Sequence, residues 1–201
     1  MSRPIVIGVT GGIATGKSSV LAILAEHDVE TIDADTVYHQ LIAPGGTLVV
    51  PIADRFGRDT IAEDGSIDRR ALAGIVFADR QALADLDALT HPAVIAAVNE
   101  RIAHSDAELI AVDAVKLIES GMADDCDSVW LVVCDPAVQK ARLMARNGLT
   151  AEEAELRLAA QPNETERRAR ADIVIDKSGD LPSLEEHVLA AMHVVKQLTK
   201  L

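Results

Sequence analysis

The feature that most constrains this chain is a glycine-rich segment near its amino terminus. Residues 11–18 have the sequence GGIATGKS, which fits the pattern G-x-x-x-x-G-K-[S/T] at every defined position. The segment follows an apolar run, residues 4–10, and precedes a helical pattern, residues 17–27. A strand, a loop and a helix in this order turn several backbone N–H groups and the positive end of a helix dipole toward one anion. The pattern predicts a phosphate-binding loop made of Gly11, Gly12, Ile13, Ala14, Thr15, Gly16, Lys17 and Ser18, with Ser19 at its edge.

The residue types in this loop indicate which ligand it holds. Lys17 is expected to reach the β- and γ-phosphates of ATP, and the Ser18 hydroxyl to bind Mg²⁺. The loop alone does not distinguish kinases from motor ATPases or switch GTPases, so the acceptor of the phosphate has to be identified from other segments.

The remaining pattern alternates strands with helices. Strands are predicted at residues 4–10, 30–33, 108–113, 128–134 and 172–176, and helices at 17–27, 36–42, 136–147 and 181–198, with a capping box that begins at Thr150. This order predicts an α/β fold of the P-loop NTPase type, with a five-stranded, mostly parallel sheet flanked by helices.

One segment departs from this alternation. Residues 47–105 contain no convincing strand, and helices are predicted at 48–56, 68–77, 79–89 and 93–104, with a break at His91-Pro92. The segment is much longer than a crossover connection needs. We therefore predict a helical substrate-binding insert at 47–105, a lid at 141–170, and a nucleotide-binding core made of 1–46, 106–140 and 171–201.

Three carboxylates end or follow predicted strands, where ligands bind in open α/β sheets. Asp33 is expected either to accept the proton of an acceptor hydroxyl or to hold Mg²⁺ through water. Asp35 is the expected N-cap of the helix at 36–42. Asp113, at the end of the third strand, is a second candidate for organising Mg²⁺.

The predicted lid carries arginines suited to a transferring phosphoryl group. Arg142 and Arg146 are four residues apart, so they share one helix face. Arg167, Arg168 and Arg170 are more simply explained as surface arginines paired with neighbouring glutamates.

Composition excludes several other functions. The chain has 201 residues, a net charge of −13 and only 2% aromatic residues, which disfavours binding to nucleic acid or to anionic membranes. Its two cysteines are too few for a disulfide framework and lack zinc-site spacing. With no signal peptide or transmembrane run in the sequence, we expect a cytoplasmic protein, either a monomer or a small homo-oligomer.

The sequence resembles one family, the dephospho-coenzyme A kinases, over almost its whole length. Beyond the loop, the most specific matches are the DAD-x-x-x-H segment at 33–39, the DG-x-x-DR segment at 64–69 and the tripeptide THP at 90–92. Further matches are Phe56-Gly57, Val76-Phe77, Leu117, Glu119, Gly121, Gly148-Leu149, Gln161 and Ala171-Asp172.

This resemblance implies transfer of the γ-phosphate of ATP, with Mg²⁺, to the ribose 3′-hydroxyl of dephospho-coenzyme A, the last step of coenzyme A synthesis. Asp33 would be the base and Arg142 a lid arginine. Thr10 would line the phosphate site beside Lys17. Arg69 would meet a coenzyme A phosphate, or else pair with Asp68 or Glu63. The acceptor site would be shaped by Asp35, His39 and His91, although His39 also fits simple helix packing and His91 fits a backbone contact at a helix break.

The chain departs from the family pattern in two places. Residues 114–119 have the sequence AVKLIE, without the usual proline and phenylalanine and with Lys116 added, which puts the wall of the acceptor site in doubt. Pro162 follows Gln161 directly, so the return path of the lid is expected to shift.

Two alternative functions stay open at this stage, another small-molecule P-loop kinase and a non-enzymatic nucleotide switch. The absence of an N-K-x-D segment disfavours a GTPase.

Overall fold

The chain folds around one parallel sheet. The structure, a computed structural model, describes residues 3–198. The sheet has five parallel strands in the order β2-β3-β1-β4-β5. The strands are β1 (Ile5–Gly11), β2 (Glu30–Asp33), β3 (Leu109–Asp113), β4 (Ser128–Val133) and β5 (Ile173–Asp176). The predicted α/β fold class is confirmed, and each predicted strand is present to within a residue at either end.

Nine α-helices accompany the sheet within residues 3–198. They are α1 (Lys17–Glu26), α2 (Ala34–Leu41), α3 (Val49–Phe56), α4 (Arg69–Val76), α5 (Arg80–His104), α6 (Pro136–Asn147), α7 (Ala151–Ala159), α8 (Glu164–Arg170) and α9 (Leu181–Leu198). The capping box predicted at Thr150 is present, since its hydroxyl accepts from the Glu153 N–H while the Glu153 carboxylate accepts from the Thr150 N–H. No helix in this part of the chain has both the length and the hydropathy needed to cross a membrane.

The described chain divides into two compact units, which we call the core unit and the helical unit. The core unit runs to Ile32 and resumes at Asp106, and the helical unit is Asp33–Ser105. The helical unit therefore begins at the end of β2 and includes α2, which the sequence had grouped with the nucleotide-binding core. The functional roles predicted for the core, insert and lid stay predictions.

The core unit buries its apolar residues between the sheet and two helices. Strand residues such as Ile7, Val9 and Trp130 are fully buried and pack with Leu24 of α1 and Leu184 of α9. Burial of β1, β3 and β4 explains why these strands have near-continuous apolar sequences. This packing fixes the carboxyl ends of the strands, where the candidate site lies.

The helical unit has its own core, built around the long helix α5. Its packed residues include Ile42, Leu48, Ile52, Leu72 and Val76. The predicted helix break at His91-Pro92 is wrong, because α5 is one continuous helix of 25 residues with Pro92 in its interior. The proline removes one backbone donor, but α5 packs against α2, α3 and α4 and buries side chains both before and after Pro92. Tertiary packing therefore offsets the local cost.

Candidate active site

The glycine-rich loop connects β1 to α1. Gly16, the last loop residue before the helix, has a backbone conformation that only glycine adopts easily. Gly16 has φ 101° and ψ 20°, a left-handed conformation, directly before α1 begins at Lys17. The loop closes on itself because the Thr15 hydroxyl donates to the Gly12 carbonyl at 2.9 Å. No side chain caps the amino terminus of α1, and the Ser19 N–H donates to the Gly16 carbonyl at 2.9 Å. An uncapped helix amino terminus suits an anion.

Lys17 is paired with the carboxylate that ends the neighbouring strand. Its Nζ forms a salt bridge with Asp113 Oδ1. Asp113 lies beside Val9 in the β1–β3 register, which places it next to the loop. Both side chains are mostly buried, at 17% and 19% exposure. The structure thus brings together two residues that the sequence had proposed separately, one for the phosphates and one for Mg²⁺.

The two predicted lid arginines are placed differently. Arg142 in α6 reaches the loop, where its guanidinium donates to the carbonyls of Thr15 at 3.4 Å and Lys177 at 3.3 Å. Within residues 3–198, Arg142 has no carboxylate partner. Arg146 is exposed, and its Nε donates to Asn147 Oδ1. Of these two arginines, only Arg142 therefore contacts the loop within residues 3–198.

Thr10, which was predicted to line the phosphate site, is held by a hydrogen bond to the segment after β3. Its side chain is fully buried, and its hydroxyl donates to the Val115 carbonyl at 3.1 Å. The same carbonyl accepts from Arg167 Nη2 at 2.9 Å, while Arg167 Nε donates to Glu119 at 2.7 Å. Arg167 is buried, with 3% exposure, so its interpretation as a surface arginine is wrong. Arg168, in contrast, is exposed and pairs with Glu164.

Two glutamines contact the loop, and neither was among the candidate site residues predicted from the sequence. Gln161 follows α7, and its Oε1 accepts from the Ile13 N–H at 2.5 Å. Gln139 in α6 donates from Nε2 to the Ile13 carbonyl at 2.7 Å. Gln161 already belonged to the family resemblance, but nothing in local spacing indicated Gln139.

In the helical unit, Asp33 is the N-cap of α2, so the prediction that Asp35 has this role is wrong. Asp33 Oδ1 accepts from the N–H groups of Asp35 and Thr36, and Oδ2 accepts from the Thr36 hydroxyl. The helix begins two residues earlier than the sequence predicted, which leaves Asp35 exposed in the first turn. A carboxylate at N-cap satisfies helix N–H groups that otherwise lack partners.

The other predicted acceptor residues lie on three helices of the same unit. His39 is exposed on α2, with its ring 5.9 Å from that of Tyr38. Arg69 is the first residue of α4 and is exposed; burial raises the pKa of the Tyr38 phenol, and the positive charge of Arg69 opposes that rise. His91 lies within α5, with Nε2 3.4 Å from Asp87 Oδ1, so it does not mark a helix end.

Two predicted partnerships have a different geometry. Asp68 is the N-cap of α4, and its Oδ1 accepts from the N–H groups of Arg70 and Ala71. Within residues 3–198, Arg69 has no ion pair with Asp68 or Glu63.

The same residues contain no cluster of three His, Cys, Asp or Glu side chains that could hold a metal ion without other ligands.

The fold and the loop define a nucleotide-binding protein of the P-loop class. A glycine-rich turn joins a buried parallel strand to a helix, and a lysine at the helix start pairs with a carboxylate on the next strand. Within that class, the chain belongs to the dephospho-CoA kinase family, whose model matches residues 5–183. The resemblance found in the sequence is confirmed.

Individual relatives agree with this family assignment. A dephospho-CoA kinase of Symbiobacterium thermophilum is 43% identical over 189 residues, which cover 92% of this chain and 79% of the relative. The crystal structure of a Thermus thermophilus protein superposes with a TM-score of 0.82 at 32% identity, covering 96% of this chain and 98% of that one. A dephospho-CoA kinase from Campylobacter jejuni shares the fold, with a TM-score of 0.60 at 20% identity over 96% of this chain and 98% of its own.

Proposed function

We propose that this protein transfers the γ-phosphoryl group of ATP to the ribose 3′-hydroxyl of dephospho-coenzyme A, which yields coenzyme A and ADP. The observation that carries the proposal is the combination of the glycine-rich loop and its paired Lys17 with membership of the dephospho-CoA kinase family. In the reaction, the bond between the γ-phosphorus and the bridging oxygen breaks while a bond to the 3′-oxygen forms. The hydroxyl proton passes to a carboxylate.

The donor side is assigned to the core unit. The N–H groups of the loop and of the first turn of α1 would bind the phosphates, with Lys17 reaching over them. Arg142 would leave its two long hydrogen bonds to carbonyl groups for the stronger, charge-assisted bonds that phosphate oxygens offer. Phosphoryl transfer is catalysed mainly by positioning and by stabilisation of negative charge. Positioning and charge stabilisation would both come from Lys17, Arg142 and the amino terminus of α1.

The residues at the loop fit a magnesium ion that is bound together with the nucleotide. Ser18 has an exposed side chain on the first turn of α1, and Asp113 places a carboxylate beside Lys17. Mg²⁺ prefers oxygen ligands and is usually held by one or two protein groups plus phosphates and water. We assign Ser18 to the ion, with Asp113 or Asp33 contributing directly or through water. The ion would neutralise charge on the β- and γ-phosphates.

The acceptor side is assigned to Asp33 and to residues of the helical unit. Asp33 ends β2, and ligands of open α/β sheets bind at the carboxyl ends of strands. Its carboxylate is our candidate for the base that takes the 3′-hydroxyl proton. Asp35, His39, Arg69 and His91 are proposed to contact the acceptor, with Arg69 available for one of its phosphates.

An acceptor panel tests the proposal. ADP release from Mg·ATP is measured with dephospho-coenzyme A and, separately, with nucleosides, nucleoside monophosphates and sugar acids, and the product is identified by mass spectrometry. We expect strong stimulation by dephospho-coenzyme A alone and a product heavier by one phosphoryl group. Stimulation by another acceptor but not by dephospho-coenzyme A would indicate a different small-molecule kinase, and no stimulation at all would favour a nucleotide switch. The cytoplasmic location and the monomeric or small homo-oligomeric state stay predictions.

A further inference from the structure

One backbone amide of the phosphate-binding loop already has a strong acceptor from the predicted lid. Gln161 Oε1 accepts from the Ile13 N–H at 2.5 Å, and on the other side of the same residue Gln139 Nε2 donates to the Ile13 carbonyl at 2.7 Å. Gln161 of the predicted lid and Gln139 of α6 thus bind both backbone polar groups of Ile13.

The two glutamines also approach Gly12 closely, so a side chain at this position would have to displace them. A Cβ atom built on Gly12 would lie 2.8 Å from Gln161 Oε1 and 3.1 Å from Gln139 Nε2. The Gln161 backbone N–H also donates to the Leu158 carbonyl at 3.2 Å, which anchors the residue to the end of α7. The backbone of Gln161 is therefore attached to the end of α7, and its side chain is bound to the loop.

From this geometry we propose that Gln161 is a built-in competitor of the nucleotide phosphates and thereby a determinant of nucleotide affinity. The inference rests on the proposed function, because it requires the loop to bind phosphates. The carboxamide oxygen occupies the Ile13 N–H, which lies inside the phosphate-binding motif. One N–H group makes only one strong, well-aligned hydrogen bond, so a phosphate oxygen at this position displaces Gln161.

Displacement has a consequence for the lid. Once Oε1 leaves Ile13, the turn after α7 loses its side-chain attachment to the loop, so nucleotide binding and the position of this turn are coupled. By linkage, a change that weakens the Gln161 contact strengthens nucleotide binding, by at most the factor by which the contact itself is weakened. Gln139 differs, because it donates to the carbonyl of Ile13 and does not compete for the N–H. It provides a matched control on the same residue.

The test compares wild type with three variants. For each protein, the dissociation constants of ADP and of a non-hydrolysable ATP analogue are measured by calorimetry with Mg²⁺ in excess. We expect Gln161→Ala to bind nucleotide about 3- to 10-fold more tightly than wild type, the factor that one net hydrogen bond provides. Gln161→Glu, whose carboxylate is a stronger acceptor, should bind it more weakly. Gln139→Ala should show no tightening.

Amide exchange at Ile13, followed by NMR, separates competition from other effects. Without nucleotide, the Ile13 amide should exchange faster in Gln161→Ala than in wild type, and with nucleotide it should be protected in both. Equal or weaker binding by Gln161→Ala, or an unchanged exchange rate at Ile13, would overturn the inference while leaving the proposed function intact. A wild-type protein that binds neither nucleotide would overturn both.

Discussion

At the scale of single residues, Asp33 has one observed role, as a helix N-cap, and one proposed role, as a base, and substitutions can separate the two. Its two carboxylate oxygens accept three hydrogen bonds from Asp35 and Thr36, which fix the side chain at the start of α2. The same carboxylate is the proposed base for the acceptor hydroxyl. The cap needs only an oxygen acceptor, whereas a base also needs a negative charge.

We predict that Asp33→Asn folds with nearly wild-type stability but loses most activity. Asparagine caps helices about as well as aspartate, so the melting temperature should stay close to that of wild type. The turnover number should fall about 100-fold or more, which is the usual contribution of a general base. Asp33→Ala serves as the control, since it loses the cap as well and should melt lower. If Asp33→Asn kept near-normal turnover, Asp33 would not be the base.

The two cysteines lead to a second prediction at this scale. Burial raises the pKa of the Cys126 thiol to about 12, and the nearby Asp125, Asp127 and Asp124 carboxylates add to the rise. A normal thiol has a pKa of about 8.5, so at pH 8 the reactive thiolate of Cys126 is scarcer by about a thousandfold in the folded protein than in the unfolded chain. Because the folded state keeps a proton that the unfolded chain releases, Cys126 also makes stability fall as pH rises above about 8.5.

Iodoacetamide labelling followed by peptide mass spectrometry checks this prediction. At pH 8, Cys126 in the native protein should react at least about 100-fold more slowly than in the urea-unfolded chain. Cys134 gives an internal comparison, because burial also raises its pKa. Labelling of native Cys126 at a rate close to that of the unfolded chain would contradict the proposed burial and protonation.

The sequence predicted candidate site residues that belong to local motifs, but it did not predict contacts between residues that are far apart in the chain. Lys17, Asp113 and Arg142 were found because a motif, a strand end and a helix face each identify residues by short spacing. Gln161 is 148 residues from Ile13, and Gln139 is 126 residues from it. Which side chains meet across such separations depends on the fold, and no periodicity in the sequence encodes it.

At the scale of secondary structure elements, α5 shows how packing overrides a local rule. Pro92 lacks the N–H that an interior helix residue donates to the carbonyl four positions earlier, a defect that costs about 3 kcal/mol in an isolated helix. The helix nevertheless continues and buries Ala82 before the proline and Val94 and Val98 after it. A sequence pattern weighs only the local cost, which is why it predicted a break.

We predict that Pro92→Ala stabilises the protein by about 2 kcal/mol. The substitution restores one backbone hydrogen bond, and the greater freedom of the unfolded chain subtracts about 0.4–1 kcal/mol from the gain. Pro92 is exposed, so the change leaves no cavity. Urea denaturation gives the free energy of unfolding. The matched control is Ala96→Pro, one turn later and also exposed, which should destabilise by about 3 kcal/mol. Destabilisation by Pro92→Ala would mean that the helix requires the proline ring.

The regular elements were otherwise well predicted, for a physical reason. Buried parallel strands are short apolar runs, and α6 and α9 occur at the predicted residues because proline, glycine and polar caps mark helix ends. The start of α2 was misplaced because Asp33 and Asp35 are both good N-caps, and the sequence alone does not show which of them has the free helix N–H groups within reach.

At the scale of the whole molecule, the core unit is held together partly by a buried ion pair between distant segments. Arg167 in α8 donates to Glu119 and to the Val115 carbonyl, which also accepts from Thr10 at the end of β1. The arginine side chain is 4% exposed and the glutamate side chain 30% exposed. One guanidinium therefore connects the return path of the predicted lid to the segment that follows Asp113.

We predict that Arg167→Met lowers the free energy of unfolding by about 3 kcal/mol, because the partly buried Glu119 carboxylate loses its cationic partner. The Val115 carbonyl loses one of its two donors and keeps Thr10. Methionine keeps most of the apolar stem, so lost packing contributes little. Arg168→Met is the matched control. It is the next residue of α8, its ion pair with Glu164 is exposed, and its loss should cost about 0.5 kcal/mol or less. Urea denaturation of both variants, with slopes compared to wild type, measures the difference. Equal effects at the two positions would show that Arg167 contributes no more than a surface arginine. A large effect at Arg167 alone would show that the core unit depends on this connection between α8 and the segment after β3.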